Sequence, residues 1–184
     1  MRPTTSLLLD PIFTLEPLQL KQGMDAAELG CGGHGHFVFP MAKLVGQSGR
    51  IYAVDIRKPA LNLIERQAQL EKISQIVPIW SDIEEVGATD ILPSSLQRAT
   101  LLNTLHQVKN QLGALREARR LLADEGLLLV VDWVPQSVIF GPAPANRVAL
   151  EELIPLAQKA GFTPMMHYQP GPYHFGVLFS AAAK

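Results

Sequence analysis

The chain has 184 residues, 47% of them hydrophobic and 18% charged, and its 16 basic and 17 acidic side chains give a formal net charge of −1. This composition is typical of one globular domain, and the even charge balance excludes recognition of nucleic acid through a broad basic surface. The sequence has no apolar run of membrane-spanning length, no signal-peptide pattern at its start and a single cysteine, which excludes an internal disulfide. We therefore expect one domain over 1–184 in the cytoplasm, with no membrane or nucleic-acid partner and with 1–22 as an N-terminal cover segment.

The first elements after this cover are a predicted strand, a glycine-rich loop and a helix over 36–45. The strand begins at Asp25 and carries Glu28 near its end, and Cys31 lies within the loop. Four glycines stand within six positions, namely Gly30, Gly32, Gly33 and Gly35. Such a loop lets the backbone turn tightly and approach a ligand that any Cβ atom would exclude. Taken literally, the pattern is G-x-G-x-x-G, the fingerprint of a dinucleotide-binding turn.

A second predicted strand over 50–54 ends in Asp55, which stands 20 residues after Gly35. An acidic side chain at this spacing is placed to bind the hydroxyl groups of a ribose. Ile56 follows it, and a helix is predicted over 59–72. The pairing of the loop with Asp55 predicts a nucleotide-type cofactor at the carboxyl edge of a parallel sheet.

Glu28 distinguishes between two cofactors that this pattern could serve. A carboxylate beside the loop would repel the pyrophosphate of a dinucleotide, which requires the helix N-terminus free of competing negative charge. The same carboxylate would attract S-adenosylmethionine, which carries an ammonium and a sulfonium group and no phosphate. Glu28 therefore favours a methyl donor, and a nicotinamide-dependent oxidoreductase remains the alternative.

The third predicted strand, 76–80, is followed by Ser81, Asp82 and Ile83. An acidic and an apolar side chain at a strand end can pair with the adenine amino group and cover the ring. The alternative is that Asp82 caps a turn or a helix.

The remainder of the chain continues the alternation of strands and helices. Strands are predicted at 99–102 and 127–133, helices at 108–122 and 148–160, and a closing hairpin at 162–168 and 174–180. This order predicts an α/β, doubly wound, mostly parallel seven-stranded sheet with a C-terminal antiparallel hairpin. No segment remains for the separate substrate domain that a dehydrogenase usually has.

At these residues the chain resembles the class I S-adenosylmethionine-dependent methyltransferases, in particular the branch of ubiquinone/menaquinone and arsenite methyltransferases. The matching segments are Glu28-Leu29-Gly30-Cys31-Gly32, Ala53-Val54-Asp55-Ile56, Ser81-Asp82-Ile83 and Leu102-Asn103-Thr104-Leu105-His106. The resemblance implies the Rossmann-like methyltransferase fold. The chain departs from the family's sequence pattern at two places. Gly33-His34 stands where the family usually has one residue, and Arg98 stands where this branch commonly has aspartate.

The resemblance also implies which residues bind S-adenosylmethionine. Glu28 and the loop would hold its methionine portion, Asp55 its ribose, and Asp82 with Ile83 its adenine, while Asn103 would line the floor near the methyl group. The complete implied set is Glu28, Gly30, Cys31, Gly32, Gly33, Gly35, Asp55, Ile56, Ser81, Asp82, Ile83 and Asn103.

The sequence does not identify a catalytic residue, since methyl transfer requires approach geometry and desolvation more than a protein nucleophile. His106 is a candidate base and Asp132 a candidate orienting group, and either could equally be a cap. Phe140, Tyr173 and His174 are candidates for an aromatic lid or a base. His34 and His36 have no further ligand spaced near them, so we expect no metal.

We expect an enzyme that methylates a small molecule. A catalytically silent cofactor-binding subunit remains a second alternative, and a homodimer or a partner subunit is left open.

Overall fold

The alternating pattern folds as predicted in the computed structural model, which describes residues 8–135 and 141–183. The strands are β1 Asp25–Leu29, β2 Arg50–Asp55, β3 Ile76–Trp80, β4 Leu96–Leu102, β5 Leu122–Trp133, β6 Phe162–Gly171 and β7 His174–Ala181. The helices are α1 Pro11–Leu15, α2 Val38–Val45, α3 Lys58–Glu71, α4 Gln111–Leu121 and α5 Leu150–Lys159. None of the helices in the described part combines the length and the apolar character that crossing a bilayer requires.

The seven strands form one sheet in the order β3-β2-β1-β4-β5-β7-β6. Strands β1 to β5 run parallel, and β7 lies antiparallel between β5 and β6. The chain order reverses between β1 and β4, so their carboxyl ends flank the topological switch point at which open α/β sheets bind ligands. The predicted fold class is confirmed.

Helices cover both faces of the sheet, which explains why the central strands are almost continuously apolar. Successive side chains of β5 point to opposite faces: Val130 packs in a core with α4 and α5, and Val131 packs in a core with α1, α2 and α3. Both cores lie below the switch point and hold the carboxyl ends of β1, β2 and β4 in fixed register.

Several elements begin at residues other than those expected, and for two of them, α4 and β5, the structure shows the reason. The helix predicted from 108 begins at Gln111, because residues 105–107 form a short 3₁₀ turn and the Asn110 side chain caps the helix, accepting a 2.9 Å hydrogen bond from the Gly113 amide. Strand β5 begins at Leu122 instead of 127, because Leu122 already pairs with Leu96 before the register shifts.

The described part of the N-terminal cover, residues 8–22, is fixed to the sheet by side chains that reach its backbone. Arg98 donates to the Leu18 carbonyl at 2.5 Å, and Tyr168 donates to the Thr14 carbonyl at 2.6 Å. Burial lowers the pKa of the Arg98 guanidinium. Arg98, which departs from the resembled pattern, therefore serves to hold this cover.

Candidate functional site

The glycine loop turns back toward β2 immediately after β1. The amides of Gly30 and Cys31 both donate to the Val54 carbonyl, at 2.8 and 2.9 Å. Gly30 has a φ of +80°, and Cγ2 of Thr104 lies only 2.5 Å from the position that a Cβ atom of residue 30 would take. The loop thus requires glycine for its backbone conformation and for its packing against the turn after β4.

Glu28 lies at the carboxyl end of β1 and is only 3% exposed. Its Oε2 atom has no hydrogen-bond partner among the described residues. Burial, and then the nearby Asp55 carboxylate, raise the pKa of Glu28 well above its ordinary value. The Val38 backbone donates to this carboxylate, but the Oε2 atom without a partner is costly in a buried site, and a cationic ligand would satisfy it. This open carboxylate oxygen fits the ammonium group of S-adenosylmethionine.

Two adjoining cavities lie over the carboxyl edge of the sheet. The first, of about 460 Å³, is bordered by Glu28, the glycine loop and Asn103, and the second, of about 220 Å³, by Asp55 and the segment after β3. Gly30, Arg57 and Gln107 line both, so the cavities form one cleft. Every implied cofactor residue except Gly35 lines this cleft. At Gly35 the Phe39 ring occupies the position that a Cβ atom would take, so this glycine serves the packing of α2.

The Asp55 carboxylate is held in place from two sides. Its Oδ2 accepts a 2.8 Å hydrogen bond from the Gly32 amide, and its Oδ1 accepts from the Arg57 amide at 2.9 Å and from Arg57 Nε at 3.1 Å. The sequence analysis missed Arg57, although its signal was a cation two residues after Asp55. The Asp55 carboxylate raises the pKa of Arg57, whose side chain is 64% exposed.

The segment after β3 shows both features expected of Asp82. It lines the second cavity beside Ser81 and Ile83, and its Oδ1 also accepts a 2.9 Å hydrogen bond from the Glu84 amide, as a turn cap does. The buried Ser81 hydroxyl lies 3.2 Å from the Thr89 hydroxyl, which ties the two ends of this connection together. Ile56 lines the same cavity and is largely exposed.

Asn103 lies at the end of β4 in a left-handed conformation, with a φ of +54°. Its backbone amide donates to the Val131 carbonyl at 2.8 Å, whereas both polar atoms of its side-chain amide are buried without a partner. A strained residue with free polar atoms at a cavity is typical of a ligand-binding position.

His106 and Asp132, predicted as separate candidates, are in contact. His106 Nδ1 lies 2.7 Å from Asp132 Oδ1, and the fully buried Asp132 also accepts from the amides of His106, at 3.1 Å, and Trp133, at 2.8 Å. His174 is buried with its ring centroid 4.2 Å from that of Trp133, and burial lowers its pKa to about 4. Phe140 lies outside the described residues.

Cys31 and His36 have structural surroundings, whereas His34 is exposed and lines the first cavity. The Cys31 thiol is buried, and burial followed by the charges of Glu28 and Asp55 raises its pKa, so it is not poised to react. His36 Nε2 lies 3.1 Å from the Leu9 carbonyl. Within residues 8–135 and 141–183, no three potential ligands come together as a metal site.

A family model described as a methyltransferase domain matches residues 20–166. The fold is similar to that of a SAM-dependent methyltransferase from Aquifex aeolicus, with a TM-score of 0.88 and 22% identity over 98% of this chain and 94% of that one. It is also similar to an arsenic(III) S-adenosylmethionine methyltransferase from Chlamydomonas reinhardtii, with a TM-score of 0.71 and 20% identity over 89% of this chain and 65% of that one.

A curated relative shares a shorter stretch of sequence. Over 57 residues the chain is 38% identical to a probable cobalt-precorrin-6B C(15)-methyltransferase (decarboxylating) from Saccharolobus solfataricus. The match spans 31% of this chain and 28% of that relative's length. The structural similarities show the fold, and the family model, which covers most of the chain, shows the family. The chain belongs to the methyltransferase-domain family, and its fold is that of the S-adenosylmethionine-dependent methyltransferases to which it is similar.

Proposed function

We propose that this protein transfers a methyl group from S-adenosylmethionine to a small-molecule acceptor, and that the cofactor lies in the cleft bordered by Glu28, Asp55 and Asp82. The observation that carries the placement is the buried carboxylate of Glu28, which lines a cavity beside the glycine loop and whose Oε2 atom has no hydrogen-bond partner in the described part of the chain. The bound cofactor would supply an electrophilic methyl group on a positively charged sulfur.

Each part of the cofactor has a matching group in the cleft. Glu28 would accept hydrogen bonds from the ammonium group, and the Asp55 carboxylate would accept them from the ribose hydroxyls. Asp82 would accept from the adenine amino group while Ile83 packs against the ring. The Asn103 amide, which has free donors and a free acceptor, would orient groups near the methyl carbon.

The composition supports a small, uncharged or weakly charged acceptor. A net charge of −1 gives no general attraction for a polyanion such as RNA. The chain has one cysteine, and its thiol is buried in the glycine loop, so a set of thiolates that could hold trivalent arsenic is not available within this chain. We therefore favour an organic acceptor, and a cytoplasmic enzyme remains our prediction.

Asp55→Ala should weaken S-adenosylmethionine binding by about 1–3 kcal/mol, because the ribose loses charged hydrogen bonds. Titration calorimetry measures this loss. Asp90→Ala, at an exposed acid in the connection after β3, is the matched control and should bind as the wild type does. An Asp55→Ala variant with unchanged affinity would remove the ribose assignment.

Gly32→Val should abolish cofactor binding. Gly32 lines the first cavity with a φ of +65°, and a branched side chain there is strained and projects toward Arg57, whose Nη2 lies 3.7 Å from the position of a Cβ. Gly46→Val is the control for backbone strain alone, since Gly46 has a φ of +64°, lines neither cavity and has Gln22 Cγ 3.6 Å from the position of a Cβ. Equal unfolding temperatures with binding lost only in Gly32→Val are expected; normal binding in Gly32→Val would show that the loop does not cradle the cofactor.

Formation of S-adenosylhomocysteine by the purified chain tests catalysis itself. Incubation with S-adenosylmethionine and a panel of small acceptors should give product without cellular extract. Product that forms only when extract is added would support a cofactor-binding subunit that requires a partner.

A further inference from the structure

Asp132 holds the His106 ring in one orientation and one tautomer. The Asp132 carboxylate is fully buried and lies 2.7 Å from the ring nitrogen Nδ1 of His106. It also accepts hydrogen bonds from the backbone amides of His106 and Trp133. An acceptor-only group opposite Nδ1 requires that this nitrogen carry a proton. In a neutral ring the lone pair then lies on Nε2.

The His106 Nε2 atom is left available by this arrangement. Among the described residues no hydrogen bond uses it, and the His106 side chain is 11% exposed. His106 belongs to the 3₁₀ turn after β4, and its chain neighbours Asn103 and Gln107 line the cleft, although His106 itself borders neither cavity. The charged and titratable groups nearby are Asp132, His174 and Arg147, the last of which donates to the carbonyls of the loop after β5.

We propose that the His106–Asp132 pair is the general base of the methyl transfer, and that the acceptor is therefore a compound whose nucleophilic atom carries an ionisable proton, such as an enol, a phenol or an acidic C–H. This inference rests on the proposed function. A base is needed only by such acceptors, because thioethers and weakly basic nitrogens such as that of pyridine attack with a lone pair that is already free at neutral pH.

In this step the acceptor loses a proton and gains a methyl group. The bond from the acceptor atom to its hydrogen breaks, and the proton forms a bond to His106 Nε2. The electron pair left on the acceptor atom forms the new bond to the methyl carbon, and the pair of the carbon–sulfur bond leaves with sulfur. Asp132 stabilises the imidazolium, which afterwards returns the proton to solvent.

Nitrogen NMR of the free, histidine-labelled protein at neutral pH tests the tautomer without any acceptor or cofactor. His106→Asn assigns the signals. The proposal expects a protonated Nδ1 and an unprotonated Nε2 for His106. A ring with its proton on Nε2, or a fully protonated ring, would overturn it.

Turnover tests the acceptor class. Acetylacetone and catechol carry a proton on the attacking atom, whereas pyridine and dimethyl sulfide do not at neutral pH. We expect S-adenosylhomocysteine from the first pair of probes, and a loss of about 10²- to 10⁴-fold in His106→Asn, which keeps a donor toward Asp132 but lacks Nε2. Its cofactor affinity should be unchanged, and His167→Asn, at an exposed histidine of β6, should keep full activity.

The two proposals fail in different ways. Wild-type protein that does not bind S-adenosylmethionine would overturn the proposed function. Wild-type protein that binds it and methylates only pyridine or dimethyl sulfide would overturn the base alone, as would a His106→Asn variant with undiminished turnover of catechol.

Discussion

Glu28→Gln is expected to weaken S-adenosylmethionine binding by about 10- to 100-fold, the loss of a charged hydrogen bond in a buried site, and at the same time to stabilise the free protein by about 1 kcal/mol. Both effects arise from the buried Glu28 carboxylate, whose Oε2 atom has no hydrogen-bond partner among the described residues. Without ligand it costs folding free energy, and with ligand it supplies the counter-charge. The amide keeps the shape of the side chain and removes the charge.

The pH dependence of the two proteins follows from the raised pKa of Glu28. In the unfolded chain this carboxyl ionises near 4.5, and in the folded chain only at higher pH. Above pH 4.5 the unfolded chain loses the Glu28 proton while the folded chain still keeps it. The free energy by which Glu28 destabilises the ligand-free protein therefore grows as the pH rises from 4.5 through the folded pKa. The gain in unfolding free energy of Glu28→Gln over the wild type should therefore be absent at acidic pH and complete at high pH.

Thermal unfolding and calorimetry check both effects. Glu65→Gln, at an exposed acid of α3, is the matched control and should change neither stability nor binding. Because the ligand's ammonium group favours the ionised form of Glu28, cofactor binding to the wild type should also release protons, measurable as a buffer-dependent heat. A Glu28→Gln variant that binds as tightly as the wild type would refute the role of this carboxylate.

Glu117→Ala is expected to destabilise the fold by about 3–5 kcal/mol, the effect of removing one member of a buried, hydrogen-bonded ion pair. Glu117 is fully buried on α4 and accepts two 2.8 Å hydrogen bonds from the Arg120 guanidinium. It also accepts from the amides of Gly87, at 2.7 Å, and Thr89, at 3.1 Å. Its removal leaves the guanidinium with less compensation and both amides without a partner.

The same change should reach the cofactor site. Thr89 contacts Ser81 at the adenine end of the cleft, so loosening of the connection that Glu117 holds should also weaken S-adenosylmethionine binding. Although burial works to raise it, the hydrogen bonds from Arg120, Gly87 and Thr89 give Glu117 a lowered pKa. Its contribution is therefore present above the ordinary pKa of 4.5 and is lost as the pH falls through the lowered value.

Denaturant unfolding across this pH range measures the prediction. Glu85→Ala, at an exposed acid of the same connection, is the control. Glu117→Gln, which can still accept hydrogen bonds, should show a smaller loss and stay folded where Glu117→Ala does not. A loss in Glu117→Ala no greater than in Glu85→Ala would show that this pair does not hold the connection.

The sequence predicted the parts of the site that follow from strand ends. Asp55 and Asp82 each stand at or close to the end of an apolar strand. The carboxyl ends of parallel strands meet at one edge of the sheet, so the correct fold class was enough to predict that these two side chains come together. Glu28 was identified by its charge beside the glycine loop. These inferences rely on local pattern and on topology, both of which a sequence displays.

Contacts that depend on tertiary placement were not predictable in the same way. His106 and Asp132 are 26 residues apart, and their pairing depends on the register of β4 against β5 and on a 3₁₀ turn that has no clear sequence signal. The burial of His174 against Trp133 similarly depends on the antiparallel pairing of β7 with β5. Arg57 was overlooked because the cation that holds a binding carboxylate is itself exposed and resembles any surface arginine.

The most direct test of the central claim is a calorimetric titration of the wild-type protein with S-adenosylmethionine and S-adenosylhomocysteine, with NADH titrated in parallel. If Glu28, the glycine loop and Asp55 form a methyl-donor site, both sulfur compounds bind and NADH does not, because its pyrophosphate would meet the Glu28 carboxylate. Binding of NADH without binding of the sulfur compounds would contradict the account.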